Sequence, residues 1–100
     1  MSTIIVKEGD KTVIKTGQKM DTLNSTEFED AIQPLFKEPN PDYIIDCKKL
    51  EYISSSGLRL FMSILKYTQS KDGKLILINM QPKVKDIFDM IGFTALFKIV

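Results

Sequence analysis

The chain has no histidine, a single cysteine and no apolar run long enough to cross a bilayer. Each absence removes a class of function. Without histidine there is no Ser-His-Asp triad, no Cys-His pair and no histidine-based zinc site. One thiol, Cys47, can make neither a thiolate metal cluster nor an internal disulfide, and it reads as a small buried hydrophobe on a strand in a reducing, cytoplasmic protein. The longest greasy stretch, Leu58 to Leu65, is short and contains Arg59 and Ser63. The start, MSTIIVKEGD, lacks a basic segment and turns polar by Lys7, so no secretory leader is expected. Charge of one sign is also missing: 14 Lys and Arg stand against 13 Asp and Glu. A nucleic-acid binder would carry a clustered basic excess, so none is expected. The lysines between Lys66 and Lys85 read as a solvated surface, with a polyanion contact as the second reading. No glycine-rich phosphate loop is present, since SSSGLR lacks the flanking glycine and the lysine.

What is present is ordinary globular material. The 100 residues are 43% apolar and 27% charged, enough for one domain (1–100) with one core. Thr3–Val6 and Thr12–Lys15 are β-branched runs separated by KEGDK, a hairpin turning at Gly9 and Asp10. After a loop, Asn24 and Glu27 have capping-box spacing, and Phe28, Ala31, Ile32, Leu35 and Phe36 form one apolar helical face interrupted by Pro34. YIIDC predicts a central strand buried on both faces. Gly57 to about Lys71 predicts a second helix with two apolar strips, stopped by KDG with Gly73 as the left-handed cap. KLILIN is a strand, Pro82 opens a third helix ended by Gly92, and ALFKIV is a last strand. The order β-β-α-β-α-β-α-β predicts an α/β domain: a mostly parallel central sheet, an N-terminal hairpin edge and about three helices.

One stretch exceeds the needs of such a fold. In EYISSSGLRL three serines precede a glycine where a helix begins. A helix needs one cap. The loop lies after a strand, at the carboxyl edge of a parallel sheet, where α/β folds place their sites. The helix start offers unpaired N–H groups and partial positive charge. Gly57 lets another backbone approach. Two serines cannot share the cap, so at least one hydroxyl should face solvent. Paired carboxylates such as Glu29 and Asp30 fall on an outer helix face and read as solubilising charges. No base stands at a spacing that would activate a serine, so catalysis is not expected.

DCKKLEYISSSGLRLF resembles the signature of the STAS family, the domain of bacterial anti-sigma factor antagonists, through Asp46, Tyr52-Ile53, Ser54-Ser55-Ser56 and Gly57-Leu58. TGQKMDTLNSTEF resembles the family's earlier loop, through Gly17, Asp21, Asn24 and Ser25, and VKDIFDMIGFTALFKI its C-terminal helix and strand. The resemblance spans nearly the whole chain. It implies a switch without cofactor or metal: Ser55, the middle serine, is phosphorylated by a partner that is both anti-sigma factor and serine kinase. The unmodified form binds that partner, the phosphorylated form does not, and a serine phosphatase resets it. Ser56 is the reserve acceptor. Asp21, Asp46, Ser54, Ser56, Gly57, Leu58, Arg59 and Met62 are the candidate partner-binding residues. Loop-backbone bonding is an equal reading for Asp46, and core packing is an equal one for Leu58 and Met62. No membrane insertion and no small-molecule ligand are expected. Ser54 stands where many antagonists have Asp, the Gly17–Asp21 loop is one residue longer, and many relatives continue past the last strand into a further helix that would cover sheet surface. The alternative reading is an unphosphorylated STAS scaffold in a sensory, lipid-transport or transporter complex. A serine-nucleophile enzyme is a distant third.

Overall fold

The computed structural model describes residues 3–100. Strands β1 (Ile4–Glu8) and β2 (Lys11–Lys15) form the antiparallel hairpin, with Gly9 at a positive φ of 65° in its turn. Short strand β3 (Lys19–Met20) leads into helix α1 (Thr22–Ile32), followed by a 3-10 turn, Gln33–Lys37. Then come β4 (Asp42–Asp46), short β5 (Tyr52–Ile53), α2 (Ser55–Ser70), β6 (Lys74–Ile78), α3 (Pro82–Met90), a 3-10 turn at Phe93–Ala95 and β7 (Lys98–Ile99). The main sheet has the order β1-β2-β4-β6-β7, parallel from β2 onward. This is the predicted mixed α/β architecture with its hairpin edge.

The core explains the element order. Ile14, Tyr43, Ile45, Leu75 and Leu77 alternate along three neighbouring strands and share a buried cluster with Phe28 and Ile32 of α1, Phe61, Ile64 and Leu65 of α2, and Val84 and Phe88 of α3. Phe88 sits among Phe61, Phe93 and Phe97 at ring-centroid separations of 5.8–5.9 Å. Tyr43 is buried and donates its hydroxyl to the Leu35 carbonyl at 2.5 Å, satisfying its polar end. Burial pushes its phenol well above the ordinary range.

Several expectations are corrected. β4 is central but buried on one face only: its alternate residues, Asp42, Ile44 and Asp46, are half-buried, because the helices pack on the side of Tyr43 and Ile45. The cap of α1 is Asp21, whose Oδ1 accepts the Asn24 N–H at 2.8 Å; Asn24 lies inside the helix, and Glu27 instead accepts from the Thr3 N–H and hydroxyl. Helix α2 begins at Ser55, two residues before Gly57. At its far end Asp72, with φ 54°, takes the left-handed position assigned to Gly73. Gly73 is needed for closeness: a Cβ there would stand 2.3 Å from the Pro41 carbonyl oxygen. The last strand shrinks to Lys98–Ile99, since Phe93–Ala95 turns before it. Pro34 acts as expected, ending the regular helix at Ile32 and opening the 3-10 turn. Cys47 is fully buried just past β4, and burial, with Asp46 adjacent, pushes its thiol up to about 12.

Candidate functional site

The site is built by a device too short to show in the sequence. Lys19–Met20 and Tyr52–Ile53 pair as a two-residue parallel bridge, β3 with β5. On either side, the Glu51 N–H donates to the Gln18 carbonyl and the Ser54 N–H donates to the Met20 carbonyl, both at 2.8 Å. Side chains repeat the tie, with Gln18 Nε2 donating to Glu51 Oε2 at 2.7 Å and Lys83 of α3 reaching Glu51 Oε1 at 3.4 Å. These bonds hold the exposed Glu51 carboxyl below its ordinary pKa. Each strand of the bridge runs straight into a helix cap. Asp21 follows β3 and caps α1; Ser54 follows β5 and caps α2. Two helix N-termini therefore start side by side, and both positive dipole ends serve one surface.

The three serines divide their work at this junction. Ser54 Oγ accepts the Gly57 N–H at 3.3 Å and is the cap. Ser55 is the first helical residue, exposed, and its hydroxyl has no hydrogen-bond partner among the described residues. Ser56 is half-buried. Gly57 is buried beneath them, against Met20 and Ile53. Ser55, Leu58, Arg59 and Met62 recur at i, i+3, i+4 and i+7, so they share one face of α2. Along it Ser55 and Arg59 are exposed, while Leu58 and Met62 are half-buried and packed on the core. Arg59 has no ion pair among the described residues.

Two acidic candidates have structural employment. Asp21 is the α1 cap. Asp46 Oδ1 accepts the Lys48 N–H and the Asn79 side-chain amide, each at 3.0 Å, which is the loop-bonding role left open by the sequence. Two exposed apolar side chains on the elements joined by the bridge gave no contact reading in the sequence: Leu23, 85% exposed in the first turn of α1, and Tyr52, 50% exposed on β5. Leu23 had a legible signal. It lies five residues before Phe28, off the apolar face of its helix, where a large aliphatic side chain has no core to enter.

Because Ser54 uses its oxygen as a cap, its substitutions sort by that chemistry. Ser54→Ala is expected to lower stability by about 1 kcal/mol. Ser54→Asp, which keeps an acceptor and adds a negative charge at the dipole's positive end, is expected to leave stability unchanged or raise it by up to ~1 kcal/mol. Urea denaturation of the three proteins checks both signs.

The profile of the STAS domain matches residues 3–100. The chain belongs to the STAS domain family. It is 26% identical over 86 residues to the anti-sigma-B factor antagonist of Staphylococcus epidermidis, covering 86% of this chain and 80% of the relative. Among solved structures, a STAS domain protein of Planctomyces limnophilus superposes with a TM-score of 0.87 at 15% identity, over 100% of this chain and 90% of that one. SpoIIAA, an anti-sigma factor antagonist solved unphosphorylated, superposes at 0.79 with 17% identity, over 99% and 88%. The phosphorylated form of this Bacillus protein superposes at 0.76 with 17% identity, over 99% and 91%. At these identities the superpositions establish the shared fold. Among the described residues, no helix is long and apolar enough to cross a membrane.

Proposed function

We propose that this STAS domain is an anti-sigma factor antagonist that works as a phosphorylation switch on Ser55. Its unmodified form captures an anti-sigma factor with serine-kinase activity, and phosphorylation of Ser55 by that partner releases it. A serine phosphatase restores the binding form. The protein acts by binding rather than by catalysis, in the cytoplasm, and Ser56 is the reserve acceptor.

The observation that carries this reading is the state of Ser55. It is exposed, without a hydrogen-bond partner, at the first position of a helix that another serine already caps. A kinase can reach it without dismantling the cap. The added group carries roughly −1.5 to −2 charges at neutral pH. Against the first turns of α1 and α2 that charge is favourable, so the domain itself tolerates it. In a closed interface the same charge meets any facing carboxylate and must be stripped of water, so the complex is lost.

The contact surface follows from the same face. Leu58 and Met62 border Ser55 along α2, and Leu23 and Tyr52 add apolar area from the neighbouring elements. Arg59 offers the one long cation of the stripe, suited to a carboxylate on the partner. Asp21 and Ser54 act mainly by setting the helix starts, Gly57 by letting α2 sit close on the β3–β5 bridge, and Asp46 by holding the adjoining loop.

Incubation with the cognate anti-sigma kinase and ATP, followed by intact mass measurement, tests the proposal. The wild type gains one phosphoryl group and Ser55→Ala gains none. An unmodified wild type, or equal modification of Ser55→Ala, would sink the assignment to Ser55.

A further inference from the structure

Among the described residues, the main sheet is covered on one face only. Ile14, Tyr43, Ile45, Leu75 and Leu77 share the core with all three helices, while the residues that alternate with them lie outside that cluster. Three of the four strand pairings are parallel, and parallel sheets are ordinarily covered on both faces. The strand register shows what fits the bare face.

Across β1, β2, β4 and β6 the outward residues line up in three rows. The middle row is apolar throughout: Val6, Val13, Ile44 and Ile76. Val13 is 6% exposed, hidden between its neighbours, and the other three are half-buried. The row on the amino side of β4 is Glu8, Lys11, Asp42 and Lys74, with Lys11 one step before the Thr12–Tyr43 pair. The row on the carboxyl side is Ile4, Lys15, Asp46 and Ile78. None of these charged side chains has an ion pair among the described residues.

Each row is complementary to itself in reverse. Negative, positive, negative, positive becomes positive, negative, positive, negative. Apolar, positive, negative, apolar becomes apolar, negative, positive, apolar. A two-fold axis parallel to the strands, lying between two stacked sheets, performs this reversal: it inverts the strand order and keeps each row at its own level. It sets Glu8 against Lys74 of the second copy, Lys11 against its Asp42 and Lys15 against its Asp46, and it lays the two apolar rows on each other. An axis across the strands would keep the order and exchange the rows, stacking Lys11 on Lys15 and Asp42 on Asp46, pairings that repel. Lys98 continues the middle row on β7. In the reversed stack it overhangs the second copy's β1 and stays in water.

We propose that the uncovered sheet face is a self-association surface, on which two copies of this chain stack about a two-fold axis parallel to the strands and centred between β2 and β4. The contact is isologous and closes at the dimer. Four five-residue strands make a face of roughly 19 by 17 Å. That is well below the ~800 Å² per partner of a standard interface, so the dimer is weak and exchanges freely. The helices, and Ser55 with them, lie on the other side of the sheet, so the association does not depend on the serine switch.

Sedimentation velocity of the intact chain over a concentration series tests the proposal. The expected result is a reversible monomer–dimer equilibrium with a Kd between about 10 µM and 1 mM. Ile44→Asp places a charge in the middle row and should abolish the dimer while the thermal melt stays cooperative. Lys11→Glu, at an exposed position, should weaken the dimer at least about tenfold, because the symmetry turns two attractive pairs into two repulsive ones. Adding Asp42→Lys to Lys11→Glu should bring the affinity back to within about threefold of the wild type. Ser55→Ala should leave it unchanged. In a half-labelled sample, filtered NMR should show a contact between the Val6 and Ile76 methyl groups, which within one copy stand three strands, or ~14 Å, apart. A monomer at every concentration up to about 1 mM would give the face to a different protein and overturn the proposal. So would a dimer that persists in Ile44→Asp, growth into open assemblies, or a Lys11→Glu defect that Asp42→Lys does not rescue.

Discussion

Ser55→Glu should lower affinity for the anti-sigma kinase by at least about a hundredfold, while Ser55→Ala binds within about threefold of the wild type. The size follows from what the interface has to bury. Like charges brought together in an interface cost several kcal/mol, and a hundredfold is about 2.7 kcal/mol. Ser55 has no internal hydrogen bond to lose, so the alanine variant removes nothing that the fold uses. The two variants should also part in stability, in the opposite sense to binding. A carboxylate in the first turn of a helix is stabilising by ~0.3–1 kcal/mol, so Ser55→Glu should melt at or slightly above the wild type. Loss of binding with undiminished stability separates a switch from a folding defect. Titration calorimetry with the kinase, beside thermal melts, reads both. Wild-type affinity in Ser55→Glu is the result that removes the switch.

The long elements of this fold were legible because their signal is spread over many residues. Phe28, Ala31, Ile32, Leu35 and Phe36 declare a helical face whatever happens at its ends, and the strand runs around Ile45 and Leu77 are mostly β-branched or aliphatic. Some features that depend on one or two residues were not legible, although Gly9 and Pro34 did mark a turn and a helix end. Asn24 and Asp21 are both good caps, and only the start of the helix decides between them. The β3–β5 bridge is two residues long on each side, so no alternation exists to be seen. The Asp72–Gly73 reversal has the same character. Gly73 is a glycine because Pro41 passes close by, a contact from a distant segment, while Asp72 tolerates the left-handed region through its short polar side chain.

The candidate site divides in the same way. The serine triplet stood out because it exceeded the needs of a cap. The absence of histidine removed a nucleophile reading of the serines, and the reading of Ser55 as a phosphorylation site came from the resemblance to the STAS family. What the sequence could not show is that Asp21 and Ser54 are counterparts, each closing one strand of the bridge and opening one helix.

The junction also predicts where the chain is least tolerant of added volume. A Cβ on Gly57 would stand 2.5 Å from Met20 Cγ and 2.8 Å from Ile53 Cγ1. Both neighbours are buried, at 2% and 3% exposure, and both belong to the bridge, so neither can swing into solvent. Two effects oppose each other in a substitution here. Replacing a helical glycine by a residue with a side chain gains up to ~1 kcal/mol of helix propensity. Overpacking a rigid, filled site costs ~1–3 kcal/mol for a small addition, and valine adds three carbons. Overlap should win, and Gly57→Val should lose about 3 kcal/mol net, or roughly 12–24 °C in Tm for a domain of this size. The companion change Met20→Ala removes the closest atom. By itself it should cost ~2–5 kcal/mol as a cavity, but the double variant should lose at least ~1 kcal/mol less than the sum of the two singles. Thermal and urea denaturation of the four proteins close this cycle. Strict additivity would mean that Gly57 is not held against the bridge. A coupled result shows that the glycine sets how close α2 lies to β3 and β5, and so where Ser55 is presented.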